Sequence, residues 1–479
     1  MEKSDIEKIV NEVVKRISSG PGGSAALSAS FPGENFTGGP LFDTMDEAIA
    51  ASTTAQKIFQ DLGVEKRILI IKAIREAALS NAETLAAEAQ SETKMGRTAD
   101  KIIKNKLAAE KTPGVEDVQP GAFTGDHGMT LIEYGPFGVV GSVIPSTNPT
   151  STVINNTLSI LSGGNSVIFA PHPSAKNCSL KAISILQKAV SSAGGPDALI
   201  SAMKKPSLEG AEQLFDDPRV KLMAVTGGPA VVKRAMKSEK RVIAAGPGNP
   251  PVVIDETAQF PKCAEDVISG ASFDNGILCT AEKAVIVVEK AWDNFISAMR
   301  SDLRAFELSA LQMDALTALA IKTPATPENS EGVVNRDFIG RDAAVIASSI
   351  GLNVPSSVRL LWAAVPAGHP YVWTEQLMPV LPVTKVSGID EAVELAVAVE
   401  AGNRHTAIMH STNIENLSKM ARAMQCSIFV KNGPSYMGLG MGTGYATLTI
   451  STPTGEGLTK AKDFTRELRC ALVDNFRIV

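Results

Sequence analysis

The sequence GVVGSVIPSTNPTSTVINNTLSILSGGNSVIFAPHP, residues 138 to 173, determines the fold class of this chain. Its first part, Gly138–Ile144, is rich in β-branched residues and predicts a buried strand, and a helix is predicted over Ser151–Leu161. A second strand is predicted at Ser166–Ala170 and a second helix at Ser174–Ser191. This alternation of strands and helices is typical of a parallel α/β sheet.

The same alternation continues with a predicted strand at Lys221–Val225 and a predicted helix at Pro229–Ser238. Ligands of open parallel sheets bind just beyond the carboxyl ends of the strands. The loops at those ends are Pro145-Ser146-Thr147-Asn148-Pro149, Pro171-His172-Pro173 and Thr226-Gly227-Gly228. The third loop enters a helix N-terminus, where free N–H groups attract phosphate. Without a GxGxxG pattern, a plain tight turn is the alternative for this loop.

A second informative stretch is GASFDNGILCTAEKAVIVVE, residues 270 to 289, with Cys279 at its centre. The cysteine follows a predicted helix, Cys263–Phe273, and a turn, Asp274-Asn275-Gly276, and it precedes a predicted strand, Lys283–Val288. A thiol at such a turn lies near backbone N–H groups and suits a nucleophile. On placement alone, a buried cysteine that only fills the core is the alternative.

Composition excludes several classes of function. A chain of 479 residues with 44% apolar and 20% charged residues predicts a globular protein of two to four domains. The net charge of -5 argues against nucleic-acid binding. No apolar run is long enough to span a bilayer, so we expect no membrane partner. The five cysteines form no CxxC pair and the five histidines no HExxH motif, which favours a reducing compartment and predicts no metal site.

The N-terminal residues 1–18 predict an amphipathic helix. Aliphatic residues recur there at three- and four-residue spacing, and Ser4 with Glu7 forms a capping-box pattern. Residues 19–40 are rich in Gly, Ser and Pro and predict a flexible linker. A short helix on a tether favours a docking peptide, and a helix that folds back on its own domain is the alternative.

Two further regions precede the α/β unit. Residues Met45 to Lys111 predict three or four helices, beginning with the capping-box pair Thr44 and Glu47. Residues Gly121 to Tyr134 hold a cluster of turn residues between short β-prone runs and predict a hairpin. Such a hairpin between a helical layer and a sheet suits an assembly arm.

These segments together resemble a known family. PSTNP, GNSVIFAPHP, VTGGP and AAGPGNPP precede Cys279 in the order and spacing of the aldehyde dehydrogenase superfamily. From about Leu41 to Val479 the chain most resembles the CoA-acylating enzymes of ethanolamine- and propanediol-utilisation type, down to TEQLMP, HTAIMHS, IFVKNGPS and TPTGEG. The tethered helix resembles peptides that direct such enzymes into bacterial microcompartments. The resemblance therefore implies a cytoplasmic protein in a microcompartment lumen, with residues 1–18 bound to shell proteins.

The resemblance assigns the chemistry of the site. Cys279 would attack the aldehyde, and the resulting thiohemiacetal oxyanion would be stabilised by the Asn148 side-chain amide and the backbone N–H of Cys279. Hydride transfer to NAD would leave a thioester on Cys279. The base that deprotonates Cys279 is not identified by the sequence, because no histidine lies near it along the chain.

The resemblance also places the cofactor across the strand ends. The implied NAD-binding residues are Pro145, Ser146, Thr147, Pro171, His172, Pro173, Thr226, Gly227, Gly228 and Glu375. Glu375 would hold the nicotinamide ribose, and a solvated surface glutamate is the alternative. Ala170 occupies the place of a lysine that binds the adenosine ribose in many hydrolytic members, which leaves NAD and NADP both open. NAD is expected from the subfamily.

One absence separates acylating from hydrolytic members. Hydrolytic members activate water with a glutamate in the loop that here reads Ile243-Ala244-Ala245-Gly246-Pro247, which has no ionisable side chain. The acyl-enzyme is then expected to persist until coenzyme A, a strong thiol nucleophile, arrives as co-substrate and gives acyl-CoA. The alternative is that Asp255 or Glu256 supplies a shifted base.

The expected substrate is a short-chain aldehyde, acetaldehyde or propionaldehyde. Three rival functions are a hydrolytic aldehyde dehydrogenase, a cysteine hydrolase with a histidine partner, and a non-catalytic microcompartment assembly protein. The parallel sheet and the Gly227-Gly228 turn count against the hydrolase. The presence of Cys279 and Asn148 counts against a non-catalytic protein.

The implied architecture is an α/β fold of aldehyde dehydrogenase type. A Rossmann-type domain over residues 41–243 would bind NAD and CoA, with the hairpin 121–134 serving oligomerisation. A catalytic α/β domain would cover 244–436. The C-terminal segment 437–479 would return to the oligomerisation region with a final strand at Ala471–Val479. A homodimer or homotetramer is expected.

Overall fold

A computed structural model describes residues 39–327, 329 and 331–479. The predicted helix over residues 1–18 and nearly all of the predicted linker lie outside these residues. The helices of the described part are α1 (Met45–Asp61), α2 (Gly63–Ser80), α3 (Ala82–Thr93), α4 (Thr98–Lys111), α5 (Pro149–Ser162), α6 (Lys176–Ser192), α7 (Leu208–Asp216), α8 (Pro229–Met236), α9 (Lys262–Ser272), α10 (Glu289–Ser301), α11 (Ala310–Ala320), α12 (Ala343–Ser348), α13 (Pro370–Trp373), α14 (Ile389–Glu400) and α15 (Ile414–Met424).

Three main sheets are formed by the strands. The strands are β1 (Leu41–Phe42), β2 (Gly121–Gly125), β3 (Gly128–Pro136), β4 (Val139–Ile144), β5 (Ser166–Pro171), β6 (Ile200–Met203), β7 (Val220–Thr226), β8 (Arg241–Ala245), β9 (Pro251–Ile254), β10 (Ala284–Val288), β11 (Ala305–Glu307), β12 (Ile321–Thr323), β13 (Val333–Val334), β14 (Leu360–Ala364), β15 (Val380–Val386), β16 (Thr406–His410), β17 (Ile428–Lys431), β18 (Ile450–Ser451), β19 (Gly457–Leu458) and β20 (Thr465–Val473).

The first sheet is the parallel α/β sheet predicted from the sequence. Its six strands lie in the order β1-β6-β5-β4-β7-β8, and all neighbours are parallel. The predicted strands and helices from Gly138 to Ser238 are observed with shifts of one or two residues at their ends. Strand β6 and helix α7 were not predicted. Strand β6 has only four residues and shows too little alternation to be recognised.

The second sheet has seven parallel strands in the order β11-β14-β15-β10-β9-β16-β17. Its central strand β10 is fully buried, as its run of Val and Ile residues requires. The chain leaves the first sheet at Ala245 and enters the second at Pro251. The predicted domain boundary at residue 243 therefore lies inside β8.

The third sheet is antiparallel, with the order β2-β3-β20. Its first two strands form the hairpin that the sequence predicts. The predicted final strand at Ala471–Val479 is wrong in its bounds, because the observed strand covers Thr465–Val473. Val473 pairs with Gly128, the first residue of β3, so residues beyond 473 have no strand left to pair with.

Two general features of the described residues bear on function. None of their helices has both the length and the apolar character needed to cross a membrane. Within the same ranges, no three His, Cys, Asp or Glu side chains are grouped so that they could hold a metal ion.

Candidate active site

The predicted cofactor loops lie together at one edge of the first sheet. Strands β5, β4 and β7 are direct neighbours, and each is followed by one of the predicted loops. Because the strands are parallel, their carboxyl ends meet at the same edge. The sheet order therefore brings Pro145–Asn148, Pro171–Pro173 and Thr226–Gly228 to one side of the molecule.

The predicted nucleophile lies at the second sheet, at the amino ends of its strands. Cys279 precedes β10, Gly248 precedes β9, and His405 immediately precedes β16. These three strands are neighbours in the order β10-β9-β16, so all three residues lie at the amino ends of adjacent parallel strands. Cys279 is partly exposed, as the sequence predicts for a reactive thiol.

Gly248 connects Cys279 with two titratable groups. A β-carbon placed on Gly248 would lie 2.8 Å from the carbonyl oxygen of Cys279 and 2.9 Å from Cγ of His405. The N–H of Gly248 donates to Oε1 of Glu375 at 3.4 Å. Only a glycine leaves room for the cysteine backbone, the imidazole and the carboxylate to approach one another this closely.

Burial keeps the Cys279 thiol protonated at neutral pH. Desolvation, and to a smaller extent the nearby Glu375 carboxylate, raise its pKa to about 12. The Lys283 ammonium and the backbone N–H groups of Cys279 and Thr280 act in the opposite direction, because they favour the thiolate. A group that accepts a proton is therefore needed when the sulfur attacks.

Two groups beside Cys279 are able to accept that proton. Burial raises the pKa of Glu375 to about 7, against the opposing effect of Lys283. Burial also lowers the pKa of His405 to about 4, so its imidazole is neutral at pH 7. His405 Nδ1 lies 2.9 Å from Thr406 Oγ1, and its Nε2 is buried without a hydrogen-bond partner.

His405 is the functional candidate that the sequence did not reveal. It lies far from Cys279 along the chain, and only the pairing of β16 with β9 brings it to the site. The available signal was its place at the start of HTAIMHS, a segment that resembles the family without a role attached to it.

Two more buried ionisable residues, Glu282 and Lys283, lie three and four positions after Cys279. Lys283 donates to the carbonyl oxygen of Gly276, and burial lowers its pKa to about 8. Burial raises the pKa of Glu282 to about 7, although the N–H and Oγ–H of Ser435 both donate to its carboxylate, at 2.8 and 2.7 Å. These bonds hold Glu282 against the loop that follows β17 and not against the thiol.

Asn148, the predicted oxyanion donor, directly precedes helix α5. Its Oδ1 accepts a hydrogen bond from the buried ammonium of Lys104. Its Nδ2 donates to Oγ1 of Thr147 at 3.2 Å, which uses one of the two amide hydrogens. The second hydrogen remains available for a developing oxyanion.

The residues predicted to hold NAD have the free capacity that the cofactor requires. Thr226 Oγ1 is buried without a partner, and a β-carbon placed on Gly228, at the start of α8, would meet no atom within 4 Å. The Glu375 carboxylate accepts one long hydrogen bond, from the N–H of Gly248, and retains further acceptor sites for ribose hydroxyls. Burial and the charge of Arg336 lower the pKa of His172, which places a cation near the predicted adenine loop.

The predicted loop Ile243–Pro247 is wrong in its bounds, because Ile243–Ala245 belong to strand β8, which pairs with β7, and the whole segment is closely packed. Ala244 is fully buried, and its N–H donates to Oγ1 of Thr454 at 3.1 Å. A β-carbon on Gly246 would lie 3.0 Å from Cγ of Pro453. The segment TPTGEG therefore occupies the space beside this loop.

A shifted base at Asp255 or Glu256 is contradicted by the structure. Asp255 follows β9, whereas Cys279 lies beside Gly248, which precedes β9, so the two residues lie at opposite ends of this strand. The Asp255 carboxylate is buried and accepts from Thr257, Ser411 and Asn416. Glu256 is exposed at the same far end.

Comparison with known proteins places this site in a family. The profile of the aldehyde dehydrogenase family matches residues 42–444. Acetaldehyde dehydrogenase (acetylating) EutE of Salmonella typhimurium is 48% identical over the full length of both chains. Propanal dehydrogenase (CoA-propanoylating) of Citrobacter freundii is 46% identical, over 92% of this chain and 94% of its own.

Solved structures agree with these relatives. A propionaldehyde dehydrogenase from the Clostridium phytofermentans fucose utilisation bacterial microcompartment has a TM-score of 0.88 at 41% identity, covering 92% of this chain and all of the other. The Rhodopseudomonas palustris propionaldehyde dehydrogenase, solved with bound CoA and an acylated cysteine, has a TM-score of 0.87 at 42% identity, over 91% and 99% of the two chains. These findings confirm the predicted α/β fold, and the chain belongs to the aldehyde dehydrogenase family.

Proposed function

We propose that this protein oxidises acetaldehyde or propionaldehyde to the corresponding acyl-CoA, with NAD as hydride acceptor and CoA as co-substrate. The observation that carries the proposal is a partly exposed Cys279 together with a segment at the end of β8, Ile243–Pro247, that has no ionisable side chain. The names of relatives at 46% and 48% identity, acetylating and CoA-propanoylating, support the same reaction.

Cys279 begins the reaction. Its sulfur adds to the aldehyde carbon while its proton passes to Glu375 or to the neutral His405, the two acceptors beside it. The carbonyl oxygen becomes an oxyanion, to which the free hydrogen of Asn148 Nδ2 and the N–H of Cys279 donate. NAD held beside this adduct would supply the hydride acceptor, and Cys279 would then carry the acyl group as a thioester.

The residues of the first sheet position the cofactor for that step. Gly227 and Gly228 admit the pyrophosphate at the N-terminus of α8, where the helix carries partial positive charge. Thr226 supplies an unpartnered hydroxyl. From the second sheet, Glu375, which precedes β15, would accept from the nicotinamide ribose. Pro171, His172 and Pro173 line the place of the adenine.

Coenzyme A then releases the product. Its thiolate attacks the thioester carbon, Cys279 leaves as thiolate, and acyl-CoA forms without an activated water. Because the place of the glutamate that activates water in hydrolytic members is taken here by Ala244 and Ala245, hydrolysis of the acyl-enzyme is expected to be slow.

The test is NADH formation by the purified protein with either aldehyde, in the presence and absence of CoA. We expect one equivalent of NADH per site without CoA and sustained turnover with it. Cys279→Ala is the matched control and gives neither phase. Steady NADH formation without CoA would show that water reaches the acyl-enzyme and would overturn the proposal.

A second proposal concerns location. We infer that the enzyme works in the lumen of a bacterial microcompartment and that residues 1–18 bind its shell proteins. The predicted amphipathic helix, its linker, and the microcompartment origin of a structural neighbour support this. Deletion of residues 1–18 is expected to leave activity intact and to abolish co-purification with shells. Loss of activity on deletion would contradict the docking role.

A homodimer or a dimer of dimers, built on the third sheet, is the proposed assembly. Phe123 on β2 and Val473 on β20 expose apolar side chains on one face of this small sheet, and Leu468 and Leu472 on β20 expose theirs on the other face. Exposed apolar side chains on so small a sheet are typical of a protein interface. Light scattering on Phe123→Ser is expected to show a smaller species than the unmodified protein, and an unchanged mass would place the contact elsewhere.

A further inference from the structure

A buried charge cluster lies between helix α4 and the catalytic loops. Lys101 and Lys104 occupy one face of α4, three residues apart, and their side chains are 3% and 1% exposed. Both ammonium groups contact Oδ2 of Asp274, which is completely buried; for Lys101 the distance is 3.1 Å. Two cations therefore share one carboxylate, and each needs a further acceptor.

The further acceptors are both in the predicted oxyanion loop. Lys101 Nζ donates to the carbonyl oxygen of Thr147 at 3.2 Å, and Lys104 Nζ donates to Oδ1 of Asn148. Lys101 thus contacts only the backbone of the loop. Lys104 contacts the side chain that is proposed to act on the substrate.

This contact determines which way the Asn148 amide faces. An ammonium group has three donors and no acceptor, so the atom that faces Lys104 must be the amide oxygen. The NH2 group then points away from Lys104, and only one of its hydrogens is used, by Thr147 Oγ1. A half-turn of the amide would place NH2 against NH3+ and leave a buried donor pair without an acceptor.

Asp274 also belongs to the nucleophile loop. It is the first of three consecutive left-handed residues, Asp274, Asn275 and Gly276, that lead toward Cys279. The backbone N–H of Arg97 donates to its Oδ1 at 2.7 Å, and its own N–H donates to Asp100 Oδ2 at 2.9 Å. Helix α4 and the residue before it thereby fix the turn that carries the thiol and the amide that faces the oxyanion.

We propose that Lys104, held in place by Asp274, is a positioning residue that orients the Asn148 amide so that its nitrogen faces the oxyanion formed on Cys279. This inference rests on the proposed functions of Asn148 and Cys279. Lys104 touches neither substrate nor cofactor and acts through Asn148 alone. Lys101 shares its burial and its ion pair but not its contact with the amide, which makes Lys101 the matched control.

The test is a double-mutant cycle on the first turnover. The rate of the NADH burst without CoA is measured for Lys104→Met, Lys101→Met, Asn148→Ala and the pair Lys104→Met with Asn148→Ala. Loss of one oxyanion donor lowers such rates by about 100- to 1000-fold. We expect Lys104→Met to lose at least tenfold and Lys101→Met less than threefold. The double variant is expected within threefold of Asn148→Ala, because the lysine has no amide left to orient.

The remaining outcomes are distinguishable. Equal losses in the two lysine variants, or losses that multiply in the double variant, overturn the inference and leave the proposed functions of Cys279 and Asn148 intact. An unchanged burst in Asn148→Ala overturns both the function of Asn148 and the inference. Urea unfolding of each variant confirms that it is folded. If Lys104→Met does not fold, the same cycle and criteria apply to Lys104→Gln, whose neutral amide no longer selects the orientation of Asn148.

Discussion

Replacing Gly276 by alanine is expected to slow the reaction of Cys279 as well as to lower the free energy of unfolding. Gly276 has φ +70°, and a β-carbon there would lie 2.8 Å from the carbonyl oxygen of Met378 and 3.0 Å from that of Ala271. A left-handed alanine costs about 1 to 2 kcal/mol. Overpacking against backbone atoms, which cannot rotate away, adds about 1 to 3 kcal/mol. We therefore expect about 2 to 5 kcal/mol in total.

Gly351 offers a matched control for the first of these two costs. It has φ +77°, and the place of its β-carbon is open space. Gly351→Ala should therefore lose only the 1 to 2 kcal/mol of backbone strain. Because Gly351 lies in a loop outside the site described above, its variant should keep the NADH burst of the unmodified enzyme.

The two variants are compared by urea unfolding and by the rate of the NADH burst. The Gly276 loop relieves the overlap by moving, and a shift of 1 Å at a reacting group lowers rates by about 100-fold. We expect a burst at least tenfold slower for Gly276→Ala and unchanged for Gly351→Ala. A normal burst in folded Gly276→Ala would refute the view that this left-handed turn places Cys279.

Two further predictions concern charges near the thiol. Glu375→Gln removes a carboxylate that raises the pKa of Cys279, so alkylation of Cys279 by iodoacetamide at pH 8, followed by peptide mass spectrometry, should be faster than in the unmodified protein. At pH 5.5 the rates should agree, because Glu375, whose pKa is about 7, is then already protonated. Ser435→Ala removes a donor to the Glu282 carboxylate and should lower the free energy of unfolding by about 1 to 3 kcal/mol at pH 8. The loss should be smaller at pH 5.5. The pKa of folded Glu282, about 7, exceeds its ordinary value of 4.5, so the stability of the unmodified protein falls as pH rises between these two values. The variant raises this pKa further, so its stability continues to fall at higher pH. Equal urea midpoint shifts at the two pH values would contradict this second prediction.

Strands β4, β5 and β7 of the first sheet could be predicted because their signals are local, whereas β1, β6 and β8 were not predicted. Strands such as β4 and β5 are short apolar runs, and Gly and Pro residues mark their ends, so the positions of the following loops are fixed by the chain itself. The resemblance to CoA-acylating aldehyde dehydrogenases rested on those loops and is confirmed by the relatives. The assignments of individual site residues remain predictions.

The surroundings of Cys279 could not be predicted because they depend on which strands pair. Gly248 and His405 approach Cys279 only because β9 lies between β10 and β16. No local pattern specifies that order. Lys104 and Asp274 were missed for a related reason: a lysine on a helix normally indicates a solvated face, and only the tertiary structure shows that this one is 1% exposed.

The fate of the acyl-enzyme depends on how the residues at Ala244 and Ala245 are packed as well as on the absence of a water-activating glutamate there. The residues that replace a water-activating base, Ala244 and Ala245, are buried, and Thr454 and Pro453 fill the space beside them. A glutamate in place of Ala244 or Ala245 would need the segment that contains Pro453 and Thr454 to move. The choice between hydrolysis and thiolysis of the acyl-enzyme is therefore set by the packing of this segment against β8 as well as by the missing glutamate. An incoming thiol needs no base on this side of the site, because it reaches the thioester already ionised in part. The same packing that keeps a base away from Ala244 and Ala245 therefore leaves thiol transfer unaffected.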